Sequence, residues 1–207
     1  MSFYQQRILP RLIHAGMRQS QLVPIRSALV GAAEGRVVEI GVGSGLNLPL
    51  YRRDVVQVIG IDPSRQLLLA ARKNAAWAHC PVRLLEGQAE TLPFASGSID
   101  HVVMTWTLCS IADPVGAIGE IRRILRPGGA LLFVEHGRAP ATDGKIQRWQ
   151  DRLTPAWKRI AGNCHLNRPI DRLIAAGGLT LARLETGYLV KGPKIATFFY
   201  QGRAVPA

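Results

Sequence analysis

A glycine-rich segment, VVEIGVGSGLNLP, occupies residues 37–49 and begins in a run of apolar residues. Its acidic residue and its glycines are Glu39, Gly41, Gly43 and Gly45. A dinucleotide-binding loop needs the pattern GxGxxG, whose third glycine allows the helix to pack closely on the strand. Here Leu46 occupies that third position, and no GK[ST] follows, so the Walker pattern is excluded as well. The pattern that remains is ExGxGxG.

Two further polar segments follow the glycine loop in order. The second predicted strand ends in VIGIDPS, which places Asp62 at its tip, 21 residues after Gly41. A carboxylate there can accept hydrogen bonds from both ribose hydroxyls of a nucleoside; capping the helix after Pro63 is the alternative role. The third predicted strand precedes EGQAETLPFASGSID, in which the residues placed near an adenine are Gln88, Ala89 and Glu90.

The segments that must position these residues alternate between strand and helix patterns from Arg36 onward. Strands that are apolar on both faces predict a parallel sheet covered by helices. At the C-terminal end, LTLARLETGYLV and KIATFFYQGRA are joined only by KGP, which is too short for a crossover helix, so they must pair antiparallel. The predicted fold is therefore α/β: a doubly wound, Rossmann-like sheet of seven strands, mostly parallel, closed by an antiparallel C-terminal hairpin.

We expect a single domain over residues 1–207 with four parts. They are an N-terminal helical cap (1–35), a cofactor-binding core (36–137), a helical cap insertion (138–172) and a helix end with the hairpin (173–207). The insertion carries apolar residues at steps of three or four, which predicts an amphipathic helix; they are Ile146, Trp149, Leu153, Trp157 and Ile160. A break into two helices is predicted at Thr154–Pro155, because proline disrupts a helix interior.

Composition indicates a globular protein. Hydrophobic residues make up 47% and charged residues 19% of 207, and no run approaches the roughly 20 apolar residues that span a bilayer. The N-terminal segment lacks the apolar core of a signal peptide, so we expect a cytoplasmic location. Three widely spaced cysteines and five scattered histidines argue against a disulfide framework and predict no metal site.

The net charge of +12 is concentrated in the two cap segments, which carry nine of these charges: four in residues 1–36 and five in residues 138–172. The N-terminal segment also carries an apolar pattern, namely Phe3, Tyr4, Ile8, Leu12 and Ile13. A basic amphipathic cap favours an anionic membrane surface or an acidic amphiphile, so peripheral membrane contact is predicted. A basic surface without a specific partner is the alternative.

The glycine loop, the acidic tip of the second strand and the polar loop after the third strand follow one another in this order. On these segments the chain from Arg36 onward resembles the class I S-adenosylmethionine-dependent methyltransferases. The resemblance implies that the glycine loop cradles the methionine part of S-adenosylmethionine, that Asp62 binds ribose and that Gln88 and Ala89 meet adenine; Gln88 stands where many members have Asp. S-adenosylhomocysteine is the implied product. The other residues expected to line the cofactor are Glu39, Pro63, Glu90 and Thr105.

The predicted ends of strands four and five read MTWTLCSI and FVEHGRAP. They lack the Asn/Asp-Pro-Pro-aromatic stretch of nucleobase-amine methyltransferases and the paired glutamates of arginine methyltransferases, so no nucleic-acid partner is predicted. The stretches TLCSI, EIRRILRPGGALLFVEH, WQDRLTPAWKRIAGNCHLNR and GPKIA resemble the membrane-associated alkyl-thiol methyltransferase family of animals. That resemblance implies a small lipophilic acceptor, with a thiol first; alternatives are a phospholipid or quinone methyltransferase and a cofactor-binding scaffold without turnover. In place of that family's long hydrophobic N-terminal anchor, residues 1–35 carry the amphipathic pattern.

His136 is the candidate general base, because it should lie just past strand five and an imidazole can accept a proton near neutral pH. A structural histidine bonded to a loop carbonyl is the alternative. The candidate acceptor-binding residues are Trp106, Trp149, Trp157 and His165, with core packing as the alternative for Trp149 and Trp157. The remaining cysteines of this region, Cys109 and Cys164, are interpreted as packing residues.

Overall fold

The computed structural model describes residues 4–207, without the side chains of Gln5 and Gln6. Phe3, the first apolar residue of the predicted N-terminal pattern, lies outside the described residues. None of the helices in the described part of the chain is both long enough and apolar enough to cross a bilayer.

Seven strands form one sheet in the order β3-β2-β1-β4-β5-β7-β6. They are β1 (Gly35–Ile40), β2 (Val55–Asp62), β3 (Val82–Glu86), β4 (Ile99–Thr105), β5 (Leu125–His136), β6 (Leu179–Tyr188) and β7 (Phe198–Pro206). The first five strands are parallel, and β7 is antiparallel to both β5 and β6. This confirms the predicted Rossmann-like sheet with its antiparallel C-terminal strands. The strand order reverses at β1, between β2 and β4, and such a switch point opens a crevice at the carboxyl ends of the strands.

Helices cover the sheet and its carboxyl edge. They are α1 (Leu9–Met17), α2 (Val23–Val30), α3 (Arg65–Ala75), α4 (Pro114–Ile124), α5 (Gly144–Ile160), α6 (Ile170–Ala176) and α7 (Lys194–Thr197). Shorter turns are a π-helical turn at Tyr4–Ile8 and 3₁₀ turns at Ser20–Leu22, Leu48–Leu50 and Ala141–Asp143. The start of α4 shows how local chemistry sets a boundary: Pro114 takes the first turn, and Asp113 accepts a hydrogen bond from the Gly116 amide at 2.9 Å.

Both faces of the sheet are buried, because neighbouring residues of each central strand point to opposite sides. In β1, Val38 packs in the cluster that includes Ile118 of α4. Its neighbour Val37 packs in the cluster that includes Leu68 of α3. Two apolar layers therefore hold the sheet between helices and fix the strand tips that form the site.

The predicted break of the insertion helix at Thr154–Pro155 is wrong, because α5 runs through Pro155 without interruption. Proline removes one backbone hydrogen bond from the helix, but side-chain contacts on the buried face hold this segment. Gln150 donates to the Gly137 and Ile195 carbonyls at 2.9 and 3.0 Å, and the Thr154 hydroxyl donates to the Gln150 carbonyl at 2.7 Å.

The hairpin connection also differs from the prediction. Lys194–Thr197, assigned from the sequence to the last strand, forms the helical turn α7, so the connection spans residues 189–197. The turn is closed at Pro193, whose carbonyl accepts from the Ala196 amide at 2.9 Å and from the Thr197 hydroxyl at 3.2 Å. The longer connection brings residues 190–197 to the carboxyl edge of the sheet, next to the crevice.

Candidate active site

A cavity of about 780 Å³ lies at the carboxyl ends of the parallel strands, beneath α1 and the end of α5. Most of the residues that the sequence singles out line it: Glu39, Gly41, Gly43, Asp62, Pro63, Gln88, Ala89, Glu90, Thr105, Trp106, His136 and Trp157. Among the described residues, Gly45, Trp149 and His165 lie outside this lining. One cavity thus contains the predicted cofactor end and most of the predicted acceptor end.

The glycine loop turns sharply between β1 and the segment before α3. The amides of Gly41 and Gly43 donate to the Ile61 carbonyl at 2.8 Å and to the Asp62 carboxylate at 2.9 Å. Gly45 has a φ of +78°, and a Cβ at this position would lie 3.1 Å from Ala71 of α3. The third glycine therefore acts through backbone conformation and close helix packing, while the first two face the cavity.

Asp62 joins the glycine loop to the start of α3. One carboxylate oxygen accepts from the Gly43 amide, and the other accepts from the Ser64 amide at 2.8 Å. The helix cap itself is Ser64, whose hydroxyl accepts from the Leu67 amide at 3.3 Å. Burial raises the pKa of Asp62, while these two amides act in the opposite direction. A carboxylate offers about four acceptor positions, so Asp62 keeps acceptor capacity beyond its two amides.

A buried polar network around Glu39 forms the floor of the cavity. The Glu39 carboxylate accepts from the Asn47 amide and the Tyr51 hydroxyl, each at 2.9 Å. Burial raises the pKa of Glu39 to about 7, against the effect of these two hydrogen bonds. Arg26 of α2 donates to the Asn47 side-chain oxygen at 2.8 Å, and burial lowers its pKa to about 10. Asn47 also donates to the Thr105 hydroxyl at 3.2 Å.

Sequence reasoning missed Arg26, Asn47 and Tyr51. Of these three residues, only Asn47 could have been recognised from the sequence. It lies inside the glycine-rich segment, and a polar residue among apolar ones suggests a buried hydrogen-bond partner. Nothing in the sequence pattern connects Arg26 to that segment, because α2 precedes the first strand.

Trp106 follows the tip of β4 with a left-handed backbone, at φ of +50°. Such a conformation is strained for a bulky residue and is held here by the surroundings. The Trp106 amide donates to the Val134 carbonyl at 2.9 Å, and its ring meets Phe199 edge-on at 5.7 Å. The Arg26 guanidinium lies over the ring, 4.6 Å from its centroid. The strained turn therefore fixes an aromatic side chain between the floor network and the outer part of the cavity.

The acceptor end of the cavity carries a cluster formed by Cys109, His136 and Cys164. His136 Nε2 lies 3.1 Å from Cys164 Sγ, and the Cys164 thiol donates to Cys109 Sγ at 3.6 Å. The hydrogen bond to Cys109 and burial raise the pKa of Cys164 well above its ordinary range. Burial by itself lowers the pKa of His136, but the contact with Cys164 and the charge of Glu135 outweigh it and raise that pKa. The two cysteines interpreted as packing residues thus belong to one polar cluster.

His165 supports this cluster from outside the cavity. Its backbone amide donates to the Cys109 carbonyl at 2.8 Å, and its ring Nδ1 lies 3.1 Å from the same oxygen. The neighbouring Asn163 donates to the Ser110 carbonyl at 2.9 Å. His165, predicted to bind the acceptor, therefore does not line the cavity. Its observed contacts instead position the loop that carries Cys109.

Around the mouth of the cavity, α1 and α5 expose apolar side chains to solvent. The Tyr4 hydroxyl donates to the Ile160 carbonyl at 2.5 Å and so joins the start of the chain to the end of α5. Leu12 of α1 and Ile160 of α5 are more than half exposed, at 57% and 56%. Trp149 and Trp157 are exposed as well, at 47% and 38%, so the alternative of plain core packing is wrong for both.

Comparisons with known proteins place these features in a family. Residues 38–133 match the family model described as a methyltransferase domain. A thiol S-methyltransferase of Rattus norvegicus is 34% identical over 155 residues, which cover 73% of this chain and 63% of the relative. A phosphatidylethanolamine N-methyltransferase of Cereibacter sphaeroides is 34% identical over 134 residues, covering 61% of this chain and 66% of the relative. The chain thus spans less than two thirds of the length of these curated relatives.

Among solved structures, an S-adenosylmethionine-dependent methyltransferase from Thermotoga maritima superposes with a TM-score of 0.65 at 25% identity. The superposition covers 98% of this chain and 99% of the other.

Proposed function

We propose that this chain belongs to the class I S-adenosylmethionine-dependent methyltransferases and transfers the methyl group of that cofactor to a small lipophilic acceptor, with a thiol as the first candidate. One observation carries the proposal. A single cavity joins the glycine loop and Asp62 at one end to Trp106 and the cluster of Cys109, His136 and Cys164 at the other. Cofactor and acceptor can therefore meet without leaving the protein.

In this proposal the cofactor lies along the tips of β1, β2 and β3. Asp62 accepts the ribose hydroxyls, the loop with Gly41 and Gly43 holds the methionine part, and Gln88 and Ala89 meet the adenine. Glu39 supplies a negative charge beneath the positively charged sulfonium and ammonium groups of the cofactor. This arrangement directs the methyl group toward the tips of β4 and β5.

Methyl transfer to a thiol is a displacement at carbon. The bond from the acceptor sulfur to the methyl carbon would form as the bond to the cofactor sulfonium breaks, and the thiol proton would leave to His136 or to solvent; the products would be S-adenosylhomocysteine and a thioether. The enzyme must chiefly align the two sulfurs and exclude water. Trp106 is placed to shape the path, and we propose that His136, predicted as a base from the sequence, contacts the acceptor sulfur.

The acceptor is proposed to be lipophilic because its end of the cavity is walled by apolar side chains, namely Leu9, Ile13, Met17, Trp157, Val190 and Phe199. The thiol S-methyltransferase relative supports a thiol as the acceptor. The phosphatidylethanolamine N-methyltransferase relative supports a phospholipid as the second candidate, and the basic residues of α5 would suit its phosphate.

We further propose peripheral contact with an anionic membrane. On α5 the apolar stripe of Trp149, Leu153, Trp157 and Ile160 faces solvent, and Arg148, Arg152 and Arg159 are exposed beside it. An exposed apolar stripe flanked by arginines is typical of a helix that lies in a membrane interface. A lipophilic acceptor dissolved in that interface would reach the mouth of the cavity directly.

The test is a measurement of S-adenosylhomocysteine release with four acceptors: an aliphatic thiol, a phenol, a demethylated quinone and phosphatidylethanolamine in vesicles. We expect turnover with the thiol. Turnover with only the phospholipid or the quinone would replace the proposed acceptor. Binding of S-adenosylmethionine by calorimetry without turnover of any acceptor would overturn the proposal and leave a cofactor-binding scaffold.

A further inference from the structure

The cluster of Cys109, His136 and Cys164 has the composition and spacing of a metal site. Its three residues come from three separate segments: the loop after β4, the end of β5 and the segment after α5. Their two sulfurs and one imidazole nitrogen all lie within 4.8 Å of one another. All three residues line the acceptor end of the cavity. We propose that they bind a zinc ion with one coordination position open to that cavity.

The distances fit tetrahedral zinc. Zinc lies about 2.3 Å from a thiolate sulfur and about 2.0–2.1 Å from an imidazole nitrogen, so tetrahedral angles put the two sulfurs about 3.8 Å apart and a sulfur and a nitrogen about 3.6 Å apart. The observed separations are 3.6 Å between the sulfurs of Cys109 and Cys164 and 3.1 Å between Cys164 Sγ and His136 Nε2. The separation between the sulfurs is close to the tetrahedral value, and the separation between Cys164 Sγ and His136 Nε2 must widen by about 0.5 Å to admit the ion.

His136 offers only one of its two ring nitrogens to this site. Its Nδ1 atom is buried and has no hydrogen-bond partner within the described part of the chain. Its Nε2 atom faces the sulfur of Cys164. The ligand set is therefore Nε2 of one histidine and the thiolates of two cysteines.

The backbone around Cys109 is fixed from both sides, as a metal site requires. The Glu135 carboxylate accepts from the Thr107 amide at 2.8 Å. Arg168 donates to the Leu108 carbonyl and, at 2.8 Å, to the Ile111 carbonyl. These contacts hold the loop that carries Cys109 in place when no ion is bound.

Donor type selects the metal. Two soft thiolates and an imidazole favour zinc over magnesium or calcium, which prefer oxygen ligands. Two protein thiolates neutralise the charge of Zn²⁺, so the filled site places no net charge in the apolar cavity. Three protein ligands and an open position are the arrangement of catalytic zinc sites, whereas structural sites have four protein ligands.

The existence of the zinc site does not depend on the proposed function, but the role that we give the metal in methyl transfer rests on it. An acceptor thiol would lose its proton to solvent and bind the fourth zinc position as a thiolate. Its sulfur then forms the bond to the methyl carbon as the sulfonium bond breaks. Under this inference His136 is a metal ligand that positions the acceptor, and no general base is needed, because the metal would lower the pKa of the bound thiol and its proton would leave to solvent.

Metal binding is measured on the whole, reduced protein, which is stripped with a chelator, reloaded with zinc and freed of unbound metal. We expect about one zinc ion per chain by elemental analysis. Cobalt(II) added in its place should give the sulfur-to-cobalt charge-transfer band and the intense visible bands of a tetrahedral thiolate site. Cys109→Ser and Cys164→Ser should each remove the charge-transfer band or weaken it by about half. Cys80→Ser is the matched control, because Cys80 is a half-buried cysteine that packs against the apolar cluster on α3.

The inference is overturned if the reduced wild-type protein takes up no more cobalt or zinc than Cys109→Ser does, or if Cys80→Ser loses as much. A Cys109–Cys164 disulfide that forms in air, with no metal uptake after its reduction, would also overturn it. Thiol methylation by the zinc-free protein at the full rate would remove the catalytic use of the metal while leaving the proposed function intact. Stoichiometric zinc binding without thiol turnover would leave the metal site intact and overturn the thiol as the proposed acceptor.

Discussion

Asp62 is the residue on which the proposed cofactor position depends most directly. Its carboxylate is buried and binds the amides of Gly43 and Ser64, which leaves about two acceptor positions for the ribose hydroxyls. Asp62→Ala removes both ribose contacts, and hydrogen bonds to a charged group contribute about 1.5–3 kcal/mol each. The loss of about 3–6 kcal/mol corresponds to at least about a hundredfold weaker binding.

Calorimetry with S-adenosylhomocysteine measures this loss without turnover, and thermal unfolding shows whether the variant is folded. Asp62→Asn keeps one acceptor oxygen but turns an NH₂ group toward one of the two amides, so its affinity should fall between those of the wild type and Asp62→Ala. Asp54→Ala is the matched control: this exposed carboxylate lies just before β2, paired with Arg52 at 3.2 Å. Unchanged affinity in folded Asp62→Ala would refute the ribose placement, and an equal loss in Asp54→Ala would point to net charge alone.

Three further predictions concern the floor, the loop and the cap. Burial raises the pKa of Glu39 to about 7, so its carboxyl is neutral below that pH and ionised above it. Calorimetry should therefore show that affinity for the cationic cofactor rises about tenfold from about pH 6 to about pH 8. The Glu39→Gln variant should show no such rise. Gly45→Ala should lower the free energy of unfolding by more than Gly97→Ala does. Both glycines have a positive φ, but of the two only Gly45 has other atoms within 4 Å of the place a Cβ would take. Equal losses in denaturant titrations would contradict the packing role of Gly45. The last prediction replaces three exposed arginines of α5 with Gln, namely Arg148, Arg152 and Arg159; the control variant replaces the exposed Arg72, Arg83 and Arg183 in the same way. The α5 variant should bind anionic vesicles at low salt more weakly by roughly 3 kcal/mol, at about 1 kcal/mol for each arginine, as measured by cosedimentation. A loss no greater than that of the control variant would contradict membrane contact.

The residues of the proposed cofactor end could be brought together from the sequence because they are local to neighbouring strand tips. Glu39, Gly41 and Gly43 follow one another on a single strand–loop segment, and Asp62 ends the next strand. Parallel strands bring their carboxyl ends to one edge of the sheet, so the order of the motifs along the chain is also their order in space. The antiparallel C-terminal pair was equally accessible, because a short connection permits no other arrangement.

The cysteine cluster of the acceptor end could not be predicted, because it depends on contacts between distant segments. Cys109 and Cys164 are separated by 55 residues, so their spacing shows neither a metal motif nor a disulfide pattern. The apolar stripe of α5 was visible, but not the direction it faces. The opposite face is buried because Gln150 finds the carbonyls of Gly137 and Ile195, and no periodicity encodes those partners.

The cap also contacts the proposed cofactor site, although the sequence separates the two. His14 of α1 lies with Nδ1 2.6 Å from the Ser44 hydroxyl of the glycine loop. Arg26 of α2 reaches Asn47, which binds Glu39, and lies over Trp106 on the acceptor side. A bound cofactor would therefore contact a loop and a floor that the cap helps to hold. Changes in the cap caused by a membrane or an acceptor would reach the cofactor through these two side chains.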